Sequence, residues 1–188
     1  MTTAATGTTL HTATGTWEID PSHTRLAFAA KHAMVTTVRG QFDAFSGTLV
    51  LDGDDPTASS ATVSIDAGSF SSGSADRDAH VRSGDFLDVE TFPTLTFVAR
   101  DVRRLDADRF VMVGDLTIRD TTRPVEITAE LEGVTTDPFG NVRIGFSGTA
   151  TISRKDFGLT WNMALEAGGV LVSDKVRITL DVSAVRQD

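Results

Sequence analysis

Cysteine is absent from the 188 residues, and its absence excludes disulfides, thiolate nucleophiles and zinc–thiolate sites together. Tyrosine is absent too, and tryptophan occurs only twice. The 11 phenylalanines therefore supply most of the aromatic surface, and they carry no polar handle. Basic residues are in deficit: 17 Lys and Arg against 26 Asp and Glu leave a formal charge of −9. Nucleic acid is held through clustered cations, so this balance argues against a nucleic-acid partner. It equally disfavours attachment to an anionic membrane surface. Long apolar runs are missing as well. No segment approaches the ~18 consecutive apolar residues of a spanning helix, so no stable membrane insertion is expected. The stretch from Met1 to Trp17 has no charged side chain, but it is Thr-rich and lacks the basic and apolar regions of an export signal. It reads as an uncleaved, disordered tail over residues 1–16 of a cytoplasmic protein, with no structural part for His11.

What is present suits one folded domain. Apolar residues make up 40% and charged residues 23% of the chain, a mixture unlike that of disordered proteins. A single domain of this length removes roughly 70% of its unfolded surface from water. Its dominant signal is alternation. Val142, Ile144, Phe146, Gly148, Ala150 and Ile152 interleave with Arg143, Gly145, Ser147, Thr149, Thr151 and Ser153, which places one set on each face of a strand. Val125 to Leu131 and Val176 to Ser183 alternate in the same way, and Arg25 to Lys31 less cleanly. Gly47–Leu51, Ala61–Ile65, Leu95–Ala99 and Phe110–Ile118 bring the expected strands to eight.

Turn chemistry separates the strands, at Asp52-Gly53-Asp54-Asp55-Pro56 and at Asp137-Pro138-Phe139-Gly140-Asn141. One stretch breaks the rhythm. Residues 76–82 follow a Ser/Gly-rich loop and form a short helix, with Ser74 or Asp76 as its N-cap and Asp78 as an early acid. Amphipathic strands need their apolar faces brought together, so an all-β sandwich or a closed eight-stranded antiparallel barrel is expected. An eight-stranded barrel is either filled by its own side chains or holds one small ligand. Alternation does not choose between the two.

Catalytic and cofactor motifs are scarce. Gly145-Phe146-Ser147-Gly148-Thr149 is not a nucleophile elbow, and neither a Walker loop nor a dinucleotide fingerprint appears. No cofactor is expected. The spacing of His11, His23, His32 and His80 fits no metal motif. His23 follows Asp20-Pro21-Ser22 and reads as a turn histidine bonding backbone. Asp76, Asp78 and His80 form a tight polar cluster that helix capping and solvation explain better than acid–base chemistry. His32 continues the inward alternation of Leu26, Phe28 and Ala30. It is either a core histidine satisfied by backbone or a polar anchor at one end of an apolar cavity. Arg154 and Lys155 mark a solvated strand end or a second polar rim.

Several runs together carry a family resemblance: Trp17-Glu18-Ile19-Asp20-Pro21-Ser22-His23-Thr24, Lys31-His32, the segment from Asp78 to Asp88, and Phe92-Pro93-Thr94-Leu95-Thr96-Phe97. Gly114 to Arg119 with Arg123-Pro124-Val125, Ser153 to Asn162, and Gly168 to Val176 complete the set. On these residues the chain resembles the YceI-like family, with Asp120 standing where that family's pattern has Gly. The resemblance implies a single lipocalin-like barrel domain over residues 17–188, enclosing a long apolar tunnel for a polyisoprenoid lipid, with the polar head near the mouth. It also implies a homodimer. A long-chain isoprenoid or similar amphiphilic lipid is accordingly the expected partner, and a lipid carrier without catalysis the expected function.

The bottom-up pattern suits that expectation. The inward positions Leu26, Phe28, Ala30, His32, Phe97, Phe110, Met112, Ile144, Phe146 and Ile178 are the expected lining, and Phe lines a dry tunnel without leaving a polar group unpaired. A filled core has the same pattern. The competing expectation is a small isomerase-like barrel enzyme with His32 as general base on an apolar substrate.

Overall fold

A computed structural model describes residues 10–187. Its strands are β1 (Gly15–Ile19), β2 (Arg25–His32), β3 (Thr36–Phe42), β4 (Phe45–Leu51), β5 (Ser60–Asp66) and β6 (Phe70–Ser71). After the helix α1 (Ala75–Arg82) come β7 (Thr94–Arg104), β8 (Arg109–Ile118), β9 (Thr121–Thr136), β10 (Val142–Ser153) and β11 (Val172–Gln187). They form one sheet in the order β1-β4-β5-β7-β8-β9-β10-β11-β2-β3-β6, and a further pairing of β1 with β11 closes it.

The eight-stranded antiparallel barrel is therefore present, with three of its staves interrupted. Strand β11 pairs with β1 near its C-terminus (Ile19↔Ala184) and with β2 nearer its N-terminus (Leu26↔Leu180). β1 and β2 are thus two lengths of one stave. β4 and β3 form the next, and β5 and β6 the third. Each interruption is stitched by hydrogen bonds rather than left open. At residues 20–24 the Asp20 N–H donates to the Ser183 carbonyl at 2.8 Å. The Thr24 hydroxyl donates to the same carbonyl and accepts from the Ser183 N–H, both at 3.0 Å. A polar side chain here replaces a missing ladder bond, which a buried backbone group requires.

Several local expectations change. The tail shortens: residues 1–9 lie outside the described residues, while Leu10–Ala13 form a 3-10 turn and Gly15 already begins β1. Ala13 is buried, and its carbonyl accepts the Trp17 indole N–H at 2.9 Å. His11 is not idle, since its Nδ1 lies 3.0 Å from Asp54 Oδ1. The short strands β1, β3 and β6 escape detection because few of their residues alternate; Thr36-Thr37-Val38-Arg39-Gly40-Gln41-Phe42 has two large apolar side chains. Ser74 stands at the N-cap of α1 without a side-chain bond. Asp78 instead accepts from the Ser72 N–H and hydroxyl, tying the helix to the preceding loop. At the β8–β9 turn the left-handed residue is Arg119 (φ +58°). Asp120 consequently needs no glycine-like backbone there.

The two ends of the barrel differ. At one, Trp17, Ile144 and Ala184 are fully buried where β1 bridges β4 and β11, and they fill the interior. At the other, β6 has no pairing to β7. Helix α1 and the segment 83–93 intervene in sequence there, with Phe86 and Leu87 buried.

Candidate functional site

Inside the barrel lies a cavity of about 760 Å³, within the roughly 300–1,000 Å³ range of small-molecule sites. Its middle is apolar. Leu26, Phe28 and Ala30 of β2 line it together with Ile178 of the adjacent β11, Phe146 of β10, Phe97 of β7 and Phe110 and Met112 of β8. These inward positions of five strands thus share one wall. Glycines leave the room. A Cβ at Gly114 would stand 2.4 Å from Phe97 Cζ, and one at Gly148 would meet Ile127 at 3.3 Å.

Two of the expected lining residues differ from that pattern, and one of them lies off the wall. Ile144 is 1% exposed and packs in the filled end, off the cavity wall. The alternation places it inward, but the interior is solid at that level. His32 reaches the wall but is an exposed residue at the end of β2, not a buried one. The strand leaves the barrel there, into the turn at 33–35. Among the described residues no side-chain hydrogen bond or ion pair joins the His32 imidazole to another residue, while its carbonyl accepts from the Val35 N–H at 3.2 Å. No carboxylate is positioned to orient the imidazole, so the general-base reading lacks its second group.

Apart from Ser147 of β10, polar groups on the wall gather at the ends. Near α1 they are Lys31, His32, Ser74, Asp76, Arg77, His80 and Arg154; at the other end they are Asp52, Ser59 and Ser60. Exposed wall residues concentrate at the α1 end, where Lys31, His32, Asp76 and Arg77 meet solvent, against Ser60 alone at the other. The mouth is thus at the α1 end. The cavity lining there includes the cations Lys31, Arg77 and Arg154, and the lining at the opposite end includes none.

Three side chains at the mouth have roles that sequence reasoning missed. The ring of His80 stands edge-on to Trp161 (centroids 4.5 Å apart) and to Phe86 (5.1 Å), and its Nε2 lies 2.8 Å from Asp85 Oδ2. Helix capping does not account for it. The imidazole is a wall element wedged between aromatic rings. Trp161 belongs to a segment without alternation, so period-two reading cannot find it. Arg154 is the third. It is 4% exposed, not a solvated strand end, while Lys155 beside it is exposed. Its guanidinium donates to the carbonyls of Ser173, Leu159, Trp161 and Val172 at 2.6–3.2 Å. Burial pushes its pKa below the usual arginine value, because desolvation penalises the charged form. The side chain fixes the whole connection from β10 to β11 around the mouth.

A second polar cluster lies outside the cavity. Arg143 bridges Asp20 (Nη1–Oδ2 2.7 Å) and Asp137 (Nε–Oδ2 2.7 Å). Both carboxyls are held well below the ordinary carboxylate range, Asp20 by its Ser22 bonds and Arg143, Asp137 by Arg143 and Asn141. His23 closes the turn with its backbone N–H, which donates to the Asp20 carbonyl at 3.2 Å, while its ring meets side chains, with Nδ1 2.8 Å from Asp20 Oδ2. Among the described residues no three His, Asp or Glu side chains are grouped to hold a metal ion, and no helix is long and apolar enough to cross a membrane.

A closed antiparallel barrel with an apolar interior cavity and one polar mouth defines a hydrophobic-ligand-binding barrel. The YceI-like domain matches residues 17–184, and the chain belongs to that family. It is 36% identical over 165 residues to the UPF0312 protein PA0423 of Pseudomonas aeruginosa, covering 88% of this chain and 83% of that protein. The UPF0312 protein ECA1782 of Pectobacterium atrosepticum is 35% identical over 165 residues, covering 88% and 82%. Among solved structures, the YCEI protein of Campylobacter jejuni superposes with a TM-score of 0.73 at 26% identity, covering 84% of this chain and 90% of that one. A polyisoprenoid binding domain from Saccharophagus degradans, implicated in plant cell wall breakdown, shares the fold with a TM-score of 0.70 at 15% identity, covering 91% and 98%.

Proposed function

We propose that this chain is a lipid-binding or carrier protein that sequesters a long-chain isoprenoid-type lipid, a polyprenyl or isoprenoid quinone, inside the barrel. The observation that carries the reading is the wall itself: apolar through its middle save for Ser147, with its charged residues at its ends. Such a lipid costs ~0.8 kcal/mol per CH₂ exposed to water, so a carrier needs a continuous apolar lining rather than one strong contact. A small polar substrate would leave that lining unused. The polar or anionic head lies at the α1 end beside Lys31, Arg77 and Arg154, where the wall carries its cations. The name of the Saccharophagus degradans domain supports the same class of ligand.

Protein purified without detergent is expected to carry an extractable long-chain lipid, visible as a mass adduct by native mass spectrometry. Ala129, on the cavity wall opposite Gly148 in the β9–β10 register, offers a plug. Ala129→Phe is expected to lower lipid uptake. Ile144→Val, off the wall, should cost about 0.5–1.5 kcal/mol of stability and leave uptake unchanged. Empty protein that also refuses an added polyprenol or long-chain quinone would overturn the reading.

A further inference from the structure

The end of the barrel opposite the mouth is not filled across its whole width. Trp17, Ile144 and Ala184 close the side formed by β1, β10 and β11, and none of the three lines the cavity. Beside them the cavity continues along β4, β5 and β7, walled by Leu49, Leu51, Ala61 and Val102. Ala61 stands opposite Leu49 in the β4–β5 register, and Leu51 opposite Gly15 in the β1–β4 register. No β1 side chain therefore meets Leu51 from across the pair, and Ala61 extends only a methyl into the passage.

The turn Leu10–Ala13 ends this passage. Ala13 is on the cavity wall yet only 2% exposed, so the turn stands between the interior and solvent. Three separate elements hold it in place. From β1, the Trp17 indole N–H donates to the Ala13 carbonyl at 2.9 Å. From β11, Arg186 Nη2 donates to the Thr14 carbonyl at 3.0 Å and to the Thr12 carbonyl, while its guanidinium lies 4.7 Å over the Trp17 ring. From the β4–β5 connection, the Gly53 N–H donates to the Thr14 hydroxyl at 2.9 Å, and Asp54 meets His11 at 3.0 Å. A segment with a buried side chain and bonds to several elements resists local opening. It is a floor rather than a loose flap.

The two ends of the cavity thus differ in kind. The mouth has Lys31, Arg77 and Arg154 on its wall and opens to solvent, whereas the far end is narrowed by a plug on one side and floored on the other. We propose that Ala13 at the floor, with Ala61 and Leu51 on the passage wall, sets the maximal length of the isoprenoid chain that the barrel accepts. The proposal rests on reading the cavity as a lipid site and specifies which lipids fit it. A head held beside the cations and a tail stopped at Ala13 fix both ends of the ligand. A longer chain must either lift its head from the mouth or leave apolar surface in water, and a shorter one leaves apolar wall uncovered. In a closed apolar site even one surplus methylene is resisted by roughly tenfold or more. An isoprene unit exceeds that.

Incubating lipid-stripped protein with polyprenols, and separately with isoprenoid quinones, each as a mixture graded in chain length, tests it. Native mass spectrometry reads which lengths are bound. The unaltered protein is expected to show an upper limit, with the next longer chain disfavoured by roughly tenfold or more. Ala61→Leu should move that limit to shorter chains, taking up the longest chain of the unaltered protein roughly tenfold less well. Leu51→Ala should move it to longer ones, and this variant decides alone if Ala61→Leu does not fold. A limit that stays in place in Leu51→Ala overturns the proposal, as does equal uptake of every length by the unaltered protein. So does an Ala61→Leu variant that folds and loses all lengths alike, because a constriction without a ruler acts in that way. Protein that binds both series without a length limit fails here and leaves the carrier function standing. Protein that refuses both series overturns the two readings together.

Discussion

The ring of Phe28 lies across Gly40 on the neighbouring strand, so closely that a Cβ on Gly40 would stand 2.4 Å from Phe28 Cζ. The Ser71 carbonyl would be 2.7 Å from the same Cβ, on the other side of β3. Phe28 in turn stacks on Phe70 (centroids 5.0 Å apart), so it has little freedom to retreat except into the cavity. An aromatic ring covering a strand glycine both protects the backbone and lets the sheet bend. Gly40→Ala is expected to destabilise by about 1–3 kcal/mol through overpacking and to lower ligand uptake by driving Phe28 inward. Urea unfolding and lipid titration of the one variant read both effects. An unchanged urea midpoint would show that the ring moves freely.

The turn between β2 and β3 offers the opposite sign. Ala33 and Met34 are held left-handed, a conformation that costs roughly 1–2 kcal/mol per ordinary residue. Ala33→Asn with Met34→Gly suits that backbone and should raise stability by about 1 kcal/mol or more, seen as a higher melting temperature. A lower melting temperature would mean that the Met34 side chain contributes packing that its 54% exposure does not suggest.

Arg154 holds four backbone carbonyls of the β10–β11 connection. Arg154→Met keeps the stem and removes the guanidinium from those acceptors, of which the Val172 carbonyl retains the Asn162 side-chain N–H. Buried acceptors left without partners cost roughly 1–3 kcal/mol each, so a loss of at least about 2 kcal/mol is expected. Amide exchange should accelerate selectively over residues 159–173 while β8 and β9 stay protected. Uniform loss of protection would assign Arg154 to the global fold rather than to the mouth.

Asp20 and Asp137 have carboxyls lowered below the usual range, with Arg143 between them. A depressed carboxyl contributes stability in full above its unfolded value, about 3.9. That contribution is lost as pH falls through the folded value, because the unfolded state then binds more protons. Arg143→Gln should therefore lower stability at neutral pH and flatten the decline on acidification below about pH 4. Thermal melts of both proteins across the acid range measure the difference. Parallel curves would show that the pairing with Arg143 is not what holds the carboxyls down.

Period-two alternation on single strands was enough to identify eight stretches as strands and to decide which face of each turns inward. Pleating is a local property of the chain, so Leu26, Phe28, Phe97, Phe110 and Phe146 could be assigned to one wall before any neighbour was known. The helix at 75–82 announced itself similarly, by breaking the rhythm after a Ser/Gly loop. Residues at element ends escaped this reasoning. His32 continues the inward pattern by number, but its strand leaves the barrel there, and exposure depends on what surrounds an atom rather than on its parity. Arg154 and Trp161 come together with His80 and Phe86 only because the β10–β11 connection folds back over α1. Whether the interior is full or hollow was likewise decided by closure. The barrel is solid around Ile144, where β1 bridges two strands, and open around Phe28, where Ala30, Ala129 and Gly148 are among the lining residues. Strand tilt and the sum of facing side-chain volumes set that balance, and both are properties of the assembled barrel rather than of any one strand.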